Sequence, residues 1–280
     1  MSEHTKGVLI MVCSAVFFSI GGLFIKMIPW SPFAINGVRC MVGALVFGVY
    51  MLWRKKKITF NKPTLLGAVC VAGTAVLYNT AMKFTTAGNA SILEYTSPIF
   101  ILLFSYLFFK KKPQKADILV VIAVFFGIFW FFLDGLSTGH IFGNFIGLCS
   151  GMTAAAVYVL KLHPKMDIAS AIFMGLLLNG IVFLPTVALE TAFTPAIWFY
   201  AVILGIFQLG VAYVLFFLGL SRCNPIPAVL AGTLEPILNP VWTGIFYGEM
   251  LTPFAVPGIV IVLISVVWYN LYLAKRESPT

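Results

Sequence analysis

The sequence predicts an all-α polytopic membrane protein, with ten transmembrane helices arranged as two inverted five-helix repeats. Three observations carry the prediction. Of 280 residues, 61% are hydrophobic and only 10% charged, with a mean hydropathy of +1.02. That is more apolar side chain than the interior of a soluble domain of this length can hide, so the bilayer must be the solvent. The apolar residues fall into ten runs, each near the roughly 20 residues needed to cross the hydrocarbon core. The chain also repeats itself. The stretch from Ala90 aligns without gaps on the stretch from Ala228, so that Pro98 meets Pro236, Ile99 meets Ile237, Phe108 meets Phe246 and Trp130 meets Trp268. At a slightly different offset, Gly7, Ile10, Cys13 and Ser14 fall on Gly143, Ile146, Cys149 and Ser150.

Taken in order, the apolar runs are 7–28, 34–53, 65–84, 88–109 and 116–134 in the first repeat (residues 1–138), and 141–161, 168–188, 196–220, 225–247 and 253–274 in the second (residues 139–280). The first run is span-length and is followed by more of the same, so it reads as a retained helix rather than a cleaved signal. Backbone polar groups in lipid must be satisfied within each segment, which makes every run a helix. The basic residues set the orientation. With the N-terminus inside, the inner segments hold Lys6, then Arg54 to Lys57 and Lys62, then Lys110 to Lys112 and Lys115, then Lys161 and Lys165, then Arg222, and finally Lys275 and Arg276. The outer connections hold Asp134, His140, Glu190 and Glu249 instead. Both termini are therefore expected in the cytoplasm, with the basic runs anchoring on anionic membrane lipid. Five spans per copy is an odd number, so the copies face opposite sides, which is the architecture of an alternating-access carrier.

The net charge of +9 is spread in short clusters between apolar runs, without the aromatic interleaving of a nucleic-acid surface, so no nucleic acid is expected as a partner. The five cysteines are widely spaced, with no CxxC, and read as small apolar residues. His4, His140 and His163 form no metal or acid–base constellation. There is no GxxxxGK[ST] loop. An enzyme is not expected, nor is a metal or other cofactor; the one coupling agent foreseen is the proton.

An ionisable group at the centre of a span costs about 2.5–3.5 kcal/mol on insertion scales, so such groups are the first functional candidates. Glu235 is the deepest, about ten residues into the ninth run, followed by Pro236 and Pro240. Proline cannot donate a backbone hydrogen bond, so Pro98, Pro236 and Pro240 are predicted to break their helices and free carbonyls. Gly232 and Asn239 share the face of Glu235 by helical spacing. Glu94 lies a third of the way into the fourth run, either meeting a substrate amine or pairing with Arg39 or Lys83 as structural glue or an outer gate. Lys26 sits near the same level, where long side chains snorkel. Tyr78, Asn79, Gln208, Tyr158 and Trp242 complete the candidate substrate-binding and pathway residues, the amides being equally able to bridge helices. Glu235 falls opposite Ser97 in the repeat, and Glu94 opposite Gly232, so the carboxyls are not symmetry mates.

TSPIF (Thr96 to Phe100) and LEPIL (Leu234 to Leu238) resemble the paired proline cores of the EamA family of the drug/metabolite transporter superfamily. YNTAMKFTTAGNAS (Tyr78 to Ser91) is similar to that family's lead into the fourth helix, and FYGEMLTP (Phe246 to Pro253) to its Gly-Glu motif. The first repeat departs from the family in carrying Lys110-Lys111-Lys112 at the corresponding place, and Glu94 is not a residue of the family at large. The resemblance implies a secondary transporter of the bacterial inner membrane, often an exporter of amino acids, metabolites or drugs. It implies a central cavity between helices 1, 3, 4 and 6, 8, 9, with helices 5 and 10 peripheral. The expected partner is a small-molecule substrate, an amino acid or related amphipathic compound, bound by a monomer or homodimer. The competing functions are a scaffold or partner subunit without transport, a flippase for a lipid-linked substrate, and a membrane-embedded enzyme.

Overall fold

The computed structural model describes residues 3–110, 112–133, 141–223, 225–248 and single positions between 257 and 272. The predicted tenth span, and the connections holding Asp134, His140 and Glu249, lie outside the described residues. Every regular element among the described residues is helical. Seven passages are long and apolar enough to cross a bilayer: Glu3–Met27, Pro32–Trp53, Lys62–Phe84, Ala87–Phe109, Ile141–Leu160, Ile168–Leu189 and Pro195–Leu220.

Several passages are built from more than one helix. The first is α1 (Glu3–Ser19) and α2 (Gly21–Met27), followed by α3 (Pro32–Trp53) and α4 (Lys62–Phe84). The next joins α5 (Ala87–Glu94) to α6 (Ser97–Phe109), and α7 (Lys115–Leu133) follows. Then come α8 (Ile141–Leu160) and α9 (Ile168–Phe183), the latter tightening into a 3₁₀ turn over Leu184–Leu189. In the next passage α10 (Pro195–Ile203) and α11 (Ala212–Leu220) flank a π-helical segment, Leu204–Val211. Finally α12 (Pro225–Gly232) leads into α13 (Leu234–Tyr247).

Several helices, α1, α3 and α4 most of all, begin a few residues before the apolar runs, and five helix starts carry polar side-chain caps. Ser31 accepts from the Ala34 N–H at 3.2 Å, Asn61 from Thr64 at 2.9 Å, Thr86 from Asn89 at 3.1 Å, Asp167 from Ser170 at 3.1 Å and Thr194 from Ile197 at 3.3 Å. Each satisfies an orphan donor of a helix N-terminus, typically worth about 1 kcal/mol.

Among the described passages, contacts recur when a passage is exchanged with its counterpart in the sequence repeat. Helix α1 packs on α11 as α8 packs on α4. Likewise α3 packs on the π-helical segment as α9 packs on α4, and α12 and α13 pack on α1 as α5 and α6 pack on α8. The pairs α3 with α9 and α5 with α13 join equivalent passages directly.

The two ends of the bundle differ. At the Trp30 end an apolar layer includes Ile25, Ile28, Trp30, Ile35, Met82 and Leu204. Trp30 stacks edge-on against Trp198 and donates from Nε1 to the Ala192 carbonyl at 2.7 Å, while the Glu190 carboxylate accepts from the Ser31 N–H at 2.9 Å. Here Lys26, near the end of α2, donates to the carbonyl of Thr85 that caps α4, and Lys83 of α4 donates to the carbonyl of Ile28 that caps α2. At the opposite end Lys161 donates to the carbonyls of Leu220 and Cys223, where α11 finishes. A cation at a helix C-terminus meets the negative end of the dipole and unpaired carbonyls.

Candidate functional site

Among the helices lies a cavity with about 810 Å³ of empty space, its open mouth included. Its wall comes from α1, α3, α4, the α5–α6 passage, α8, the π-helical segment, α11, and the α12–α13 passage. It runs from Arg39, Tyr78 and Glu235 towards Val157 and Phe216, near the Lys161 end, and takes no residue from the Trp30-end layer apart from Tyr78.

Four of the helical passages that form this wall are interrupted. The first breaks at Ile20, before Gly21 and Gly22; the α5–α6 passage breaks at Tyr95 and Thr96, before Pro98; the α12–α13 passage breaks at Thr233, before Pro236. In both proline cases the break lies just upstream, because a proline has no N–H and its ring crowds the preceding turn. Pro240 behaves differently from the prediction: it lies inside α13, which continues to Tyr247. One missing donor is tolerated there, with Thr243 Oγ1 donating to the carbonyls of Asn239 and Pro240 at 3.3 and 3.2 Å. Other backbone groups near the breaks are met by side chains, as lipid demands. Thr96 Oγ1 donates to the Leu93 carbonyl at 2.7 Å, and Ser14 Oγ to the Ala212 carbonyl at 2.8 Å. Gly151 of α8 lies against the carbonyls of Leu93 and Glu94, where an added Cβ would come within 2.7 and 2.8 Å.

Glu235, 6% exposed, accepts a tyrosine hydroxyl on each oxygen: Tyr78 on Oε1 and Tyr95 on Oε2, both at 3.1 Å. Behind Tyr78, Asn239 Nδ2 donates to the Tyr78 hydroxyl at 2.9 Å and to Ser91 Oγ at 2.7 Å, and Ser91 and Tyr78 lie 3.2 Å apart. The carboxyl thus ties α13 to α4 and to the α5–α6 break. Gly232, the repeat partner of Glu94, makes room for this, since a Cβ there would come within 2.9 Å of the Tyr95 hydroxyl.

Arg39 is 1% exposed and forms no ion pair with Glu94, contrary to one sequence reading. Its Nη1 donates to Gln208 Oε1 at 3.1 Å, and its Nη2 to Asn36 Oδ1 at 3.3 Å and to the Ala75 carbonyl at 2.7 Å. Neutral acceptors reach it because the π-helical segment turns Gln208 into the bundle; such segments recur at functional sites. Glu94 lines the same cavity, half-buried, and no hydrogen bond or ion pair reaches its carboxyl among the described residues. Lys83, its other predicted partner, and Lys26 are engaged at the Trp30 end as described above.

Of the remaining sequence candidates, Gln208 and Tyr158 line the cavity, whereas Asn79, Asn239 and Trp242 do not. Asn79 donates to the Pro32 carbonyl and bridges α4 to the start of α3. Trp242 Nε1 donates to Ser19 Oγ at 3.0 Å. Asn239 abuts Gly22, and Gln208 abuts Gly21, so the break after Ser19 gathers three of the predicted residues from later in the chain. Sequence reading missed Tyr95, Ser91, Tyr213 and Phe216. A tyrosine directly after an intramembrane carboxyl and three residues before a proline was the available signal for Tyr95.

A model of the EamA-like transporter family matches residues 5–133 and again residues 141–271. The threonine/homoserine exporter RhtA of Escherichia coli K12 is 28% identical over 237 residues, covering 78% of this chain and 75% of its own. Human solute carrier family 35 member G1 is 23% identical over 301 residues, covering 94% and 80%. A solved crystal structure shares the fold, with a TM-score of 0.73 at 16% identity over 98% of this chain and 99% of the other.

Proposed function

The chain belongs to the EamA-like transporter family, and we propose that it is a secondary carrier of a small amino acid or related amphipathic amine, working by alternating access in the export direction. The carrying observation is the cavity placed between the halves, whose polar wall combines Glu235 with its tyrosine hydroxyls, the unengaged Glu94, and the buried Arg39. The exchange symmetry of the packing and the double match of the family model support two inverted five-helix repeats, 1–138 and 139–280, with ten spans in all. The basic clusters support a cytoplasmic Lys161 end and cytoplasmic termini in a bacterial inner membrane. On that orientation the sealed Trp30 end faces outward and the cavity belongs to an inward-facing state. Rocking of the halves about the breaks at Ile20, Tyr95–Thr96 and Thr233 would expose the site to the other side. Glu235 or Glu94, taking up and releasing a proton, would couple the cycle to the proton gradient.

Export by the Escherichia coli relative makes threonine and homoserine the first solutes to test. Comparing metabolites in medium and cytosol of overexpressing and deletion cells should show an amine-bearing metabolite enriched outside on overexpression and retained on deletion. Unchanged solute levels in both strains would point to a scaffold, and the carrier reading would fall. Enrichment of a lipid-linked species instead would favour a flippase.

The lysine clamps give a second expectation. Lys26 on Thr85 and Lys161 on Leu220 and Cys223 occupy equivalent places in the two repeats, at opposite ends. Each clamp should be worth about 1–2 kcal/mol, or about 5–30-fold in a population. Each clamp joins two helices of one half, so Lys26→Met and Lys161→Met should each lower the stability of the bundle by that amount, read as a fall in melting temperature in detergent. Unchanged melting in both variants would show that the clamps contribute nothing to the fold.

A further inference from the structure

Resting on the carrier reading above, we propose that the cavity recognises its substrate through an ammonium group on an apolar body, held at Glu94 beside an aromatic wall, and that a carboxylate on the substrate is not required. The two cavity carboxyls are not equivalent. Both Glu235 oxygens are occupied by Tyr95 and Tyr78 hydroxyls, whereas Glu94 is half-buried on the wall with no hydrogen bond or ion pair among the described residues. A carboxylate in a low-dielectric cavity is stabilised by a charge-assisted donor, and a ligand ammonium supplies one.

The rest of the wall suits the body of such a ligand. Phe18, Tyr158, Tyr213 and Phe216 all line the cavity and touch one another edge to face. Ring centroids lie 5.2 Å apart for Phe18 and Tyr213, 5.9 Å for Tyr213 and Phe216, and 5.4 Å for Tyr158 and Phe216. Aromatic faces attract a cation through their quadrupole and bury apolar surface at the same time.

The wall is poorly made for an anion. Its one cationic side chain among the described residues is Arg39, 1% exposed, with both terminal nitrogens bonded to Gln208, Asn36 and the Ala75 carbonyl. Its Nε has no partner but is fully buried behind them. With both carboxyls ionised they outnumber the one guanidinium, and a bound monocation then restores neutrality where a zwitterion does not.

The test uses the full-length purified chain in detergent micelles and three probes of one size: 2-phenylethylamine, phenylalanine and 3-phenylpropionate. Binding is read by titration calorimetry. The amine should bind at least as tightly as phenylalanine, and 3-phenylpropionate about tenfold more weakly or worse. Glu94→Gln should weaken the amine about tenfold, and Phe216→Leu several-fold. The proposal is overturned if 3-phenylpropionate matches the amine, if the amine does not bind, or if Glu94→Gln leaves amine affinity within about twofold. The probe series on the unaltered chain decides this even if a variant fails to fold. Flux in liposomes separates the two readings. Amine binding as expected with no solute crossing would sink the carrier while leaving the site. Solute flux that neither the amine nor Glu94→Gln affects would sink the site while leaving the carrier.

Discussion

Glu235→Gln is expected to lower transport about 100-fold or more in reconstituted liposomes while the chain still folds. The glutamate oxygens each accept a tyrosine hydroxyl, Tyr78 from α4 and Tyr95 from the α5–α6 break. Hydrogen bonds to a charged acceptor contribute about 1.5–3 kcal/mol each, against about 1 for neutral pairs. An amide keeps the volume and one acceptor but turns two donors toward a hydroxyl that was donating, so one tyrosine must release. Tyr78 is also held by Asn239 and Ser91, so the change spreads through both halves. Losing one such bond and weakening the other from charged to neutral, in the state that carries substrate, amounts to about 3 kcal/mol, which is about 100-fold. Stability should fall less, by about 1 kcal/mol, read as a small shift of melting temperature in detergent. Flux within about twofold of the unaltered chain would remove Glu235 from the mechanism.

Gly22→Ala is expected to disable the carrier from a position that touches no substrate. The Asn239 carboxamide lies against Gly22, and an added Cβ would fall on it. Oδ1 of Asn239 is buried without a hydrogen-bond partner, pressed into this contact, while its Nδ2 holds Tyr78 and Ser91. The methyl must displace either the amide or α2. Overpacking of this kind costs about 1–3 kcal/mol. Moving the amide also removes the donor behind Tyr78, so transport should fall about tenfold or more beyond what the lost stability explains. Asn239→Ser removes the clash, so the double variant should be more stable than the sum of the single changes predicts, by about 1 kcal/mol. Strict additivity, or a Gly22→Ala chain with unchanged melting and flux, would show that α2 yields at this contact without consequence.

Both variants concern residues whose depth was legible and whose partners were not. Glu235 was found because a carboxyl ten residues into an apolar run is costly wherever it points. Its acceptance of Tyr95 could not be read, because the two belong to passages far apart in the sequence. Glu94 and Arg39, read at one level, line one cavity, yet that proximity did not make them a pair. The guanidinium found neutral acceptors first, once the π-helical segment rotated Gln208 toward it. Asn79, equally deep, turned to the Pro32 carbonyl because its helix faces α3 at that height. Pro98 and Pro236 break their passages upstream as proline chemistry requires. Pro240 does not, because the packed helix around it absorbs the loss of a single donor.

The sequence by itself determined the solvent, the helical class and the approximate extent of the described passages. These follow from local quantities: hydropathy over a bilayer's thickness and the donors that cap a helix. It also disclosed the duplication, because a repeat is written in the residues. Only the tertiary structure decided which buried polar groups meet. Rotation of each helix about its axis, and the interruptions at Ile20, Tyr95–Thr96, Thr233 and Leu204–Val211, set which side chains face the cavity and which face a neighbour. In an apolar solvent every such group takes the nearest partner that packing allows. That is why Glu235 is bound by two tyrosines, Arg39 by neutral acceptors, and Glu94 faces the cavity with no partner among the described residues.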